Sequence, residues 1–190
     1  MKLSLMVLWV LFMTPAIAEQ LQDKDIEVKV QFVGEKVIVD LNMLIPATPL
    51  EAWSVLTDFN HMVGIISNMK ESKIVETAGD KLKVFQRGTA SYGPIDFEFE
   101  STRELTLTPY TKIQTHMLSG NMKSMDGTTQ VVEEGQQQSR IILHNESIPG
   151  RWIPPIVGKA FIEHETREQY QEIRNEVIKR KKAVTAIKPD

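Results

Sequence analysis

The sequence predicts an α+β domain in which one long C-terminal helix lies on an antiparallel sheet of about seven strands. Two observations carry this. From Pro155 to Lys182 nothing after Gly158 breaks a helix, and Ile162, Thr166, Tyr170, Ile173 and Val177 recur at steps of three and four. Phe161 and Ile156 widen that stripe at its N-terminal end. Before the helix, strand-like segments follow one another with hairpin-sized turns, and only one region reads as helical. A lone amphipathic helix must bury its stripe, and a sheet is the partner available.

In chain order, Lys2, an apolar run and Ala16-Ile17-Ala18 form the three parts of a secretory leader. The expected organisation is a signal peptide over 1–18, a polar mature N-terminus over 19–25, one domain over 26–183 and a flexible tail over 184–190. The expected location is therefore the periplasm or the medium, with an uncleaved N-terminal anchor as the alternative. The chain has no cysteine, which excludes disulfides and a lipid-modified cysteine. Only Lys2 falls in the leader, so the remainder carries a formal net charge of −4, which argues against nucleic acid.

Ile26, Val28, Val30 and Phe32 alternate with polar residues, as a half-buried strand requires. A second run from Val37 to Ile45 ends at Pro46. Thr48, Pro49 and Glu51 make a capping box for a short helix that buries Trp53 and Leu56. Asn60 is positioned to cap a second short helix through Met62 and Ile66. Strands then run from Ser72 to Ser147. In one, Phe97 and Phe99 face opposite to Asp96, Glu98 and Glu100. Asp126-Gly127 suggests a bulge inside another.

Pro46, followed by Trp53-Ser54-Val55-Leu56-Thr57-Asp58-Phe59, resembles a strand–helix phrase of the START-like (SRPBCC) superfamily. So do Met69 to Ile74, Leu118 to Lys123 with Asp126-Gly127, and Ile148-Pro149 with Ile153-Pro154-Pro155. Within that superfamily the likeness is to the polyketide cyclase/dehydrase and coenzyme Q-binding branches, and it spans Ile26 to Lys182. The resemblance implies a helix-grip fold: a curved sheet around the C-terminal helix, short helices after the first strand, and a cavity between them. It implies a hydrophobic small molecule or lipid as partner. Independently, apolar and soft side chains cluster where cavity walls would lie: Trp53, Phe59, Met62, Ile66, Phe97, Phe99, Met117, Met122, Met125, Trp152, Ile156 and Phe161. Arg87, if turned inward, would orient a carbonyl or carboxylate. A filled core remains the alternative to a cavity. Met62, Ile66, Trp152 and Ile156 are expected either to form a mobile lid over the mouth, beside Gly64 and Gly150, or simply to close the open end of the core.

No catalytic residue, cofactor or metal is expected. His164-Glu165-Thr166-Arg167-Glu168 lacks the second histidine of a zinc helix. His116 and His144 sit on strands without an orienting motif. The leading expectation is an exported, non-enzymatic binder or carrier of a lipid- or quinone-like molecule. The alternatives are a cyclase/dehydratase-type enzyme and an envelope interaction protein with a filled core. No obligate protein partner is evident, and transient membrane contact stays open.

Overall fold

Alternating buried and exposed residues form β1 (Ile26–Val33), which pairs antiparallel with β2 (Lys36–Ile45) through the turn at Gly34. A computed structural model describes residues 25–92 and 95–187. The expectations for the leader, for residues 19–24 and for the Gly93-Pro94 turn lie outside the described residues. On β2, Val37, Val39, Leu41, Met43 and Ile45 are all buried and point to one face.

The chain then turns into α1 (Pro49–Leu56). Its capping box is present in both directions. The Glu51 N–H donates to Thr48 Oγ1 at 3.3 Å, and the Thr48 N–H donates to Glu51 Oε2 at 2.8 Å. Trp53 and Leu56 are buried, as the pattern requires. A 3-10 helix follows over Phe59–Gly64, without a side-chain cap. Asn60 does not cap it, because its Oδ1 accepts the Ile74 N–H at 2.9 Å. The two short helices follow the second strand, not the first.

The remaining strands are β3 (Met69–Ala78), β4 (Lys81–Tyr92), β5 (Ile95–Thr108), β6 (Lys112–Gly120), β7 (Met122–Glu133) and β8 (Ser139–Pro149). They join β1 and β2 in one eight-stranded sheet of order β1-β2-β8-β7-β6-β5-β4-β3, so the count is eight instead of about seven. Consecutive strands from β3 to β8 are neighbours, and β8 returns to close on β2. The irregularity in β7 falls between Met122 and Ser124; Asp126 and Gly127 pair in register with Glu146 and Asn145. The β6–β7 ladder runs from the Lys112–Gln130 pair to His116–Asp126.

The helix α2 (Pro155–Ile187) crosses the concave face and continues past Lys182, where its end was expected. Ile173 and Val177 are buried in the core, with Tyr170 and Ile162 packed against it. Cations on the same helix tie it down. Arg174 pairs with Asp25 at 2.8 Å, Arg180 with Asp58 at 2.8 Å, and Lys181 donates to the Pro46 carbonyl at 2.9 Å. Near its start, Gly158 lies so close to Ile153 and Phe32 that a Cβ there would sit 2.5 Å from Ile153 Cγ2. Glycine is therefore what lets the first turn dock.

Trp53 is only 8 % exposed and meets the Tyr110 ring edge-on, 6.1 Å between centroids. Trp53→Ala should cost about 3–5 kcal/mol in chemical denaturation, as large-to-small core changes do. A loss below about 1 kcal/mol would contradict this packing.

Candidate functional site

The face of the sheet that α2 covers is assembled by strand periodicity. On β5 the inward positions are Phe97, Phe99, Ser101, Arg103, Leu105 and Leu107; the register places Leu105 opposite Thr115 and Arg103 opposite Met117. On β7 and β8 the same face carries Met125, Gly127, Thr129 and Val131 opposite Ser147, Asn145, Leu143 and Ile141. At the end carrying Ile173 and Val177 this face is solidly filled. Toward the start of α2 it is not. There a half-open groove of about 360 Å³ separates sheet from helix. The β6–β7 ladder stops at His116–Asp126, and Met122 and Met125 beyond it line the gap.

The groove has two ends of different chemistry. Phe97, Met122, Met125, Pro149, Ile153 and Phe161 form the apolar end, with Phe97 and Phe161 in tilted contact at 6.3 Å. Arg103, Thr115, Thr129, Asn145, Thr166, Gln169 and Tyr170 form the polar end. Arg151 caps the outer side of Phe97, its guanidinium 4.8 Å from the ring centroid.

Arg103 is set by a chain of hydrogen bonds. It donates through Nη2 to Gln86 Oε1; Gln86 Nε2 donates to Ser72 Oγ at 2.9 Å; Ser72 donates to the Phe59 carbonyl at 2.5 Å. Its Nε is buried and has no partner. Burial lowers its guanidinium to about 10, and the Tyr170 phenol works the other way. Tyr170 is itself pushed up by burial, against a hydrogen bond with Thr129. Both therefore keep their protons at neutral pH.

Four of the expected wall residues line this groove: Phe97, Met122, Met125 and Phe161. Met117 and Phe99 are half-buried beside it; Phe99 fills the space that a Cβ on Gly88 would need, 2.4 Å from Phe99 Cζ. Trp53, Phe59, Met62 and Ile66 belong to the filled core. Arg87 is turned outward, and its Nε donates to Glu71 at 2.8 Å, so the inward cation is Arg103 instead. Strand alternation from Phe97 and Phe99 was the signal that could have found it.

The expected lid does not assemble. Trp152 and Ile156 are 80 % and 90 % exposed, whereas Met62 and Ile66 are buried. Ser67 and Asn68, next to Ile66, bond to Glu172 and Glu165. Those positions are about 14–24 Å along α2 from Ile156 at 1.5 Å per residue. Ile156 thus falls outside the buried stripe that it was expected to widen.

His116 and His144 both face away from the groove, each 2.7 Å from an aspartate, Asp126 and Asp40 respectively. On α2 the ligand atoms of His164, Glu165 and Glu168 lie within 4.8 Å of one another, although the zinc-helix pattern is incomplete. Glu165 is turned to Asn68, which donates to it at 2.8 Å.

With this geometry in view, the chain can be placed. Residues 45–174 match the family model described as polyketide cyclase / dehydrase and lipid transport. The chain belongs to this family. The polyketide cyclase/dehydrase fold is also the one that solved structures return. An aromatase/cyclase from Streptomyces sp. R1128 is 14 % identical with a TM-score of 0.64, covering 76 % of this chain and 95 % of its own. A STAR-related lipid transfer protein from Xanthomonas axonopodis is 11 % identical with a TM-score of 0.67, covering 81 % and 94 %. A START superfamily protein from Mycobacterium smegmatis is 11 % identical with a TM-score of 0.65, covering 75 % and 97 %. No curated protein matches the chain in sequence. The family is thus established, and the fold is the one that the START and aromatase/cyclase structures share. The coenzyme Q-binding branch is not singled out.

Glu165 supplies a pH test of the helix face. Burial is the main cause that raises its carboxyl, with Glu168 adding to it and the Asn68 amide opposing. A carboxyl raised on folding binds its proton more tightly in the native state. Stability from this source is greatest at acid pH and declines as pH rises from the ordinary glutamate range through the raised value. Glu165→Gln should remove the decline, lifting Tm near pH 7 by about 2–4 °C and leaving it little changed near pH 4. Thermal melts across that range check it; an unchanged or lower Tm near pH 7 would refute it.

Proposed function

We propose that this polyketide cyclase/dehydrase family member is an exported, non-enzymatic binder or carrier of a hydrophobic small molecule, lipid- or quinone-like. The observation that supports this best is the half-open groove of about 360 Å³ between α2 and the sheet, apolar at one end and polar at the other. Each 100 Å² of apolar ligand surface removed from water there contributes about 2.5 kcal/mol. The methionines Met122 and Met125 suit ligands of variable shape. Export rests on Lys2, the apolar run after it and Ala16-Ile17-Ala18. On this reading the working unit is the domain over 26–183. Among the described residues no helix is long and apolar enough to cross a membrane.

The alternative, an enzyme of the cyclase/dehydratase kind, draws on Arg103 and Tyr170 inside the groove, where they would polarise a bound carbonyl. Export weighs against it, because polyketide assembly uses cytoplasmic carrier proteins and thioesters. The other alternative, an interaction protein with a filled core, is disfavoured by the groove.

Native mass spectrometry of protein purified from its own compartment decides between these readings. An apolar small molecule should leave with the protein and be recovered by solvent extraction. Ligand-free protein that also takes up no fluorescent lipid would sink the carrier reading. The same spectra should give an intact mass for a chain beginning at Glu19. A mass that includes Met1, from material pelleting with membranes, would overturn the leader assignment.

A further inference from the structure

The polar end of the groove holds a cation with no anion. Arg103 is half-buried, its Nη2 is occupied by a neutral amide, and its buried Nε has no partner. Among the described residues, the ionisable group that acts on it is the Tyr170 phenol, not a carboxylate. A buried charge without a counter-charge is costly to a fold, and a buried donor left unmade adds to that cost. The Gln86–Ser72–Phe59 relay nevertheless holds this guanidinium in place, at the point where the groove is lined by hydroxyls.

From this we infer that the ligand of the groove is an amphiphilic monocarboxylic acid, its carboxylate seated on Arg103 beside Tyr170 and its apolar chain running toward Phe161 and Met122. The inference rests on the binder reading above and narrows it, against neutral sterol- or quinone-like molecules. A guanidinium that lines the groove offers a carboxylate a charge-assisted hydrogen bond, roughly twice as strong as one to a neutral group. One cation calls for a single negative charge. From Tyr170 to Phe161 is nine residues of helix, about 14 Å, so the chain must be long.

Displacement of Nile red, a neutral probe, from the purified domain tests this with laurate and 1-dodecanol, which share a chain and differ in the head. Laurate should bind about tenfold or more tightly than the alcohol, the scale of one charge-assisted pair. Arg103→Met should erase that preference, bringing the laurate and dodecanol affinities within about threefold of each other; Arg103→Lys should retain part of it. Wild-type protein that binds laurate and dodecanol equally overturns the inference but leaves the binder reading standing. So does an Arg103→Met protein that still prefers laurate. If neither compound nor the probe binds, the binder reading falls and this inference with it. Should Arg103→Met fail to fold, the wild-type comparison and the lysine variant still decide. A dodecyl phosphate control separates sources of negative charge: binding tighter than laurate would overturn the carboxylate assignment.

Discussion

Everything in this molecule follows from one mismatch of dimensions: a single helix has to cover the face of an eight-stranded sheet. Eight strands at about 4.8 Å span nearly 40 Å, whereas a helix with its side chains is about 10–12 Å wide. The sheet answers by curling, and α1 and the 3-10 helix fill the shortfall at one end. There Trp53, Leu56, Ile173, Val177 and the inward residues of β2 close a continuous core. At the other end nothing equivalent is supplied, and the groove is what remains. The groove is therefore not cut into the core; it is the gap left between α2 and the sheet where the short helices do not reach.

The helix is held hardest where the core is filled. Arg180 bridges Glu176 on its own helix and Asp58 at the end of α1, both at 2.8 Å. Burial works to raise the Asp58 carboxyl, but hydrogen bonds from His61 and Arg180 outweigh it and hold the group below its ordinary value. Arg174 reaches Asp25 beside β1. The N-terminal half of α2 is held by packing, through Phe161 on Phe97, and by hydrogen bonds of Glu165 with Asn68 and of Arg167 with the Ile26 carbonyl.

Much of this was legible in the sequence because it depends on local pattern. Alternation located β1, β2 and β5, the Thr48–Glu51 box located α1 to the residue, and the stripe on α2 named Tyr170, Ile173 and Val177. What local pattern lacks is knowledge of which strands meet. Arg87 and Arg103 are both strand arginines; alternation from Phe97 and Phe99 turns Arg103 inward, but local pattern does not name the partners each will meet. Strand pairing supplies them, with Arg87 opposite Glu71 on β3 and Arg103 opposite Val84 on β4. The same applies to Ile156, apolar and on a helix, yet ahead of the point where α2 meets the sheet. Large apolar residues were assigned to the cavity by size, and Trp53, Phe59, Met62 and Ile66 went instead to the filled end.

The chemistry of the groove bears on whether its occupant is held or converted. Proton transfer at neutral pH needs a group that titrates near neutrality. Arg103 at about 10 and Tyr170, raised by burial, are both donors that keep their protons. The imidazoles of His61, His116, His144 and His164 do not line the groove. Glu165, whose raised carboxyl comes nearest to a general acid, is bonded to Asn68 and does not line the groove. Donors such as Arg103 and Tyr170 can recognise an anion or steady an oxygen, which suits the carrier reading proposed above. The groove's one costly feature, the uncompensated guanidinium, then makes sense as the group that chooses which ligand stays.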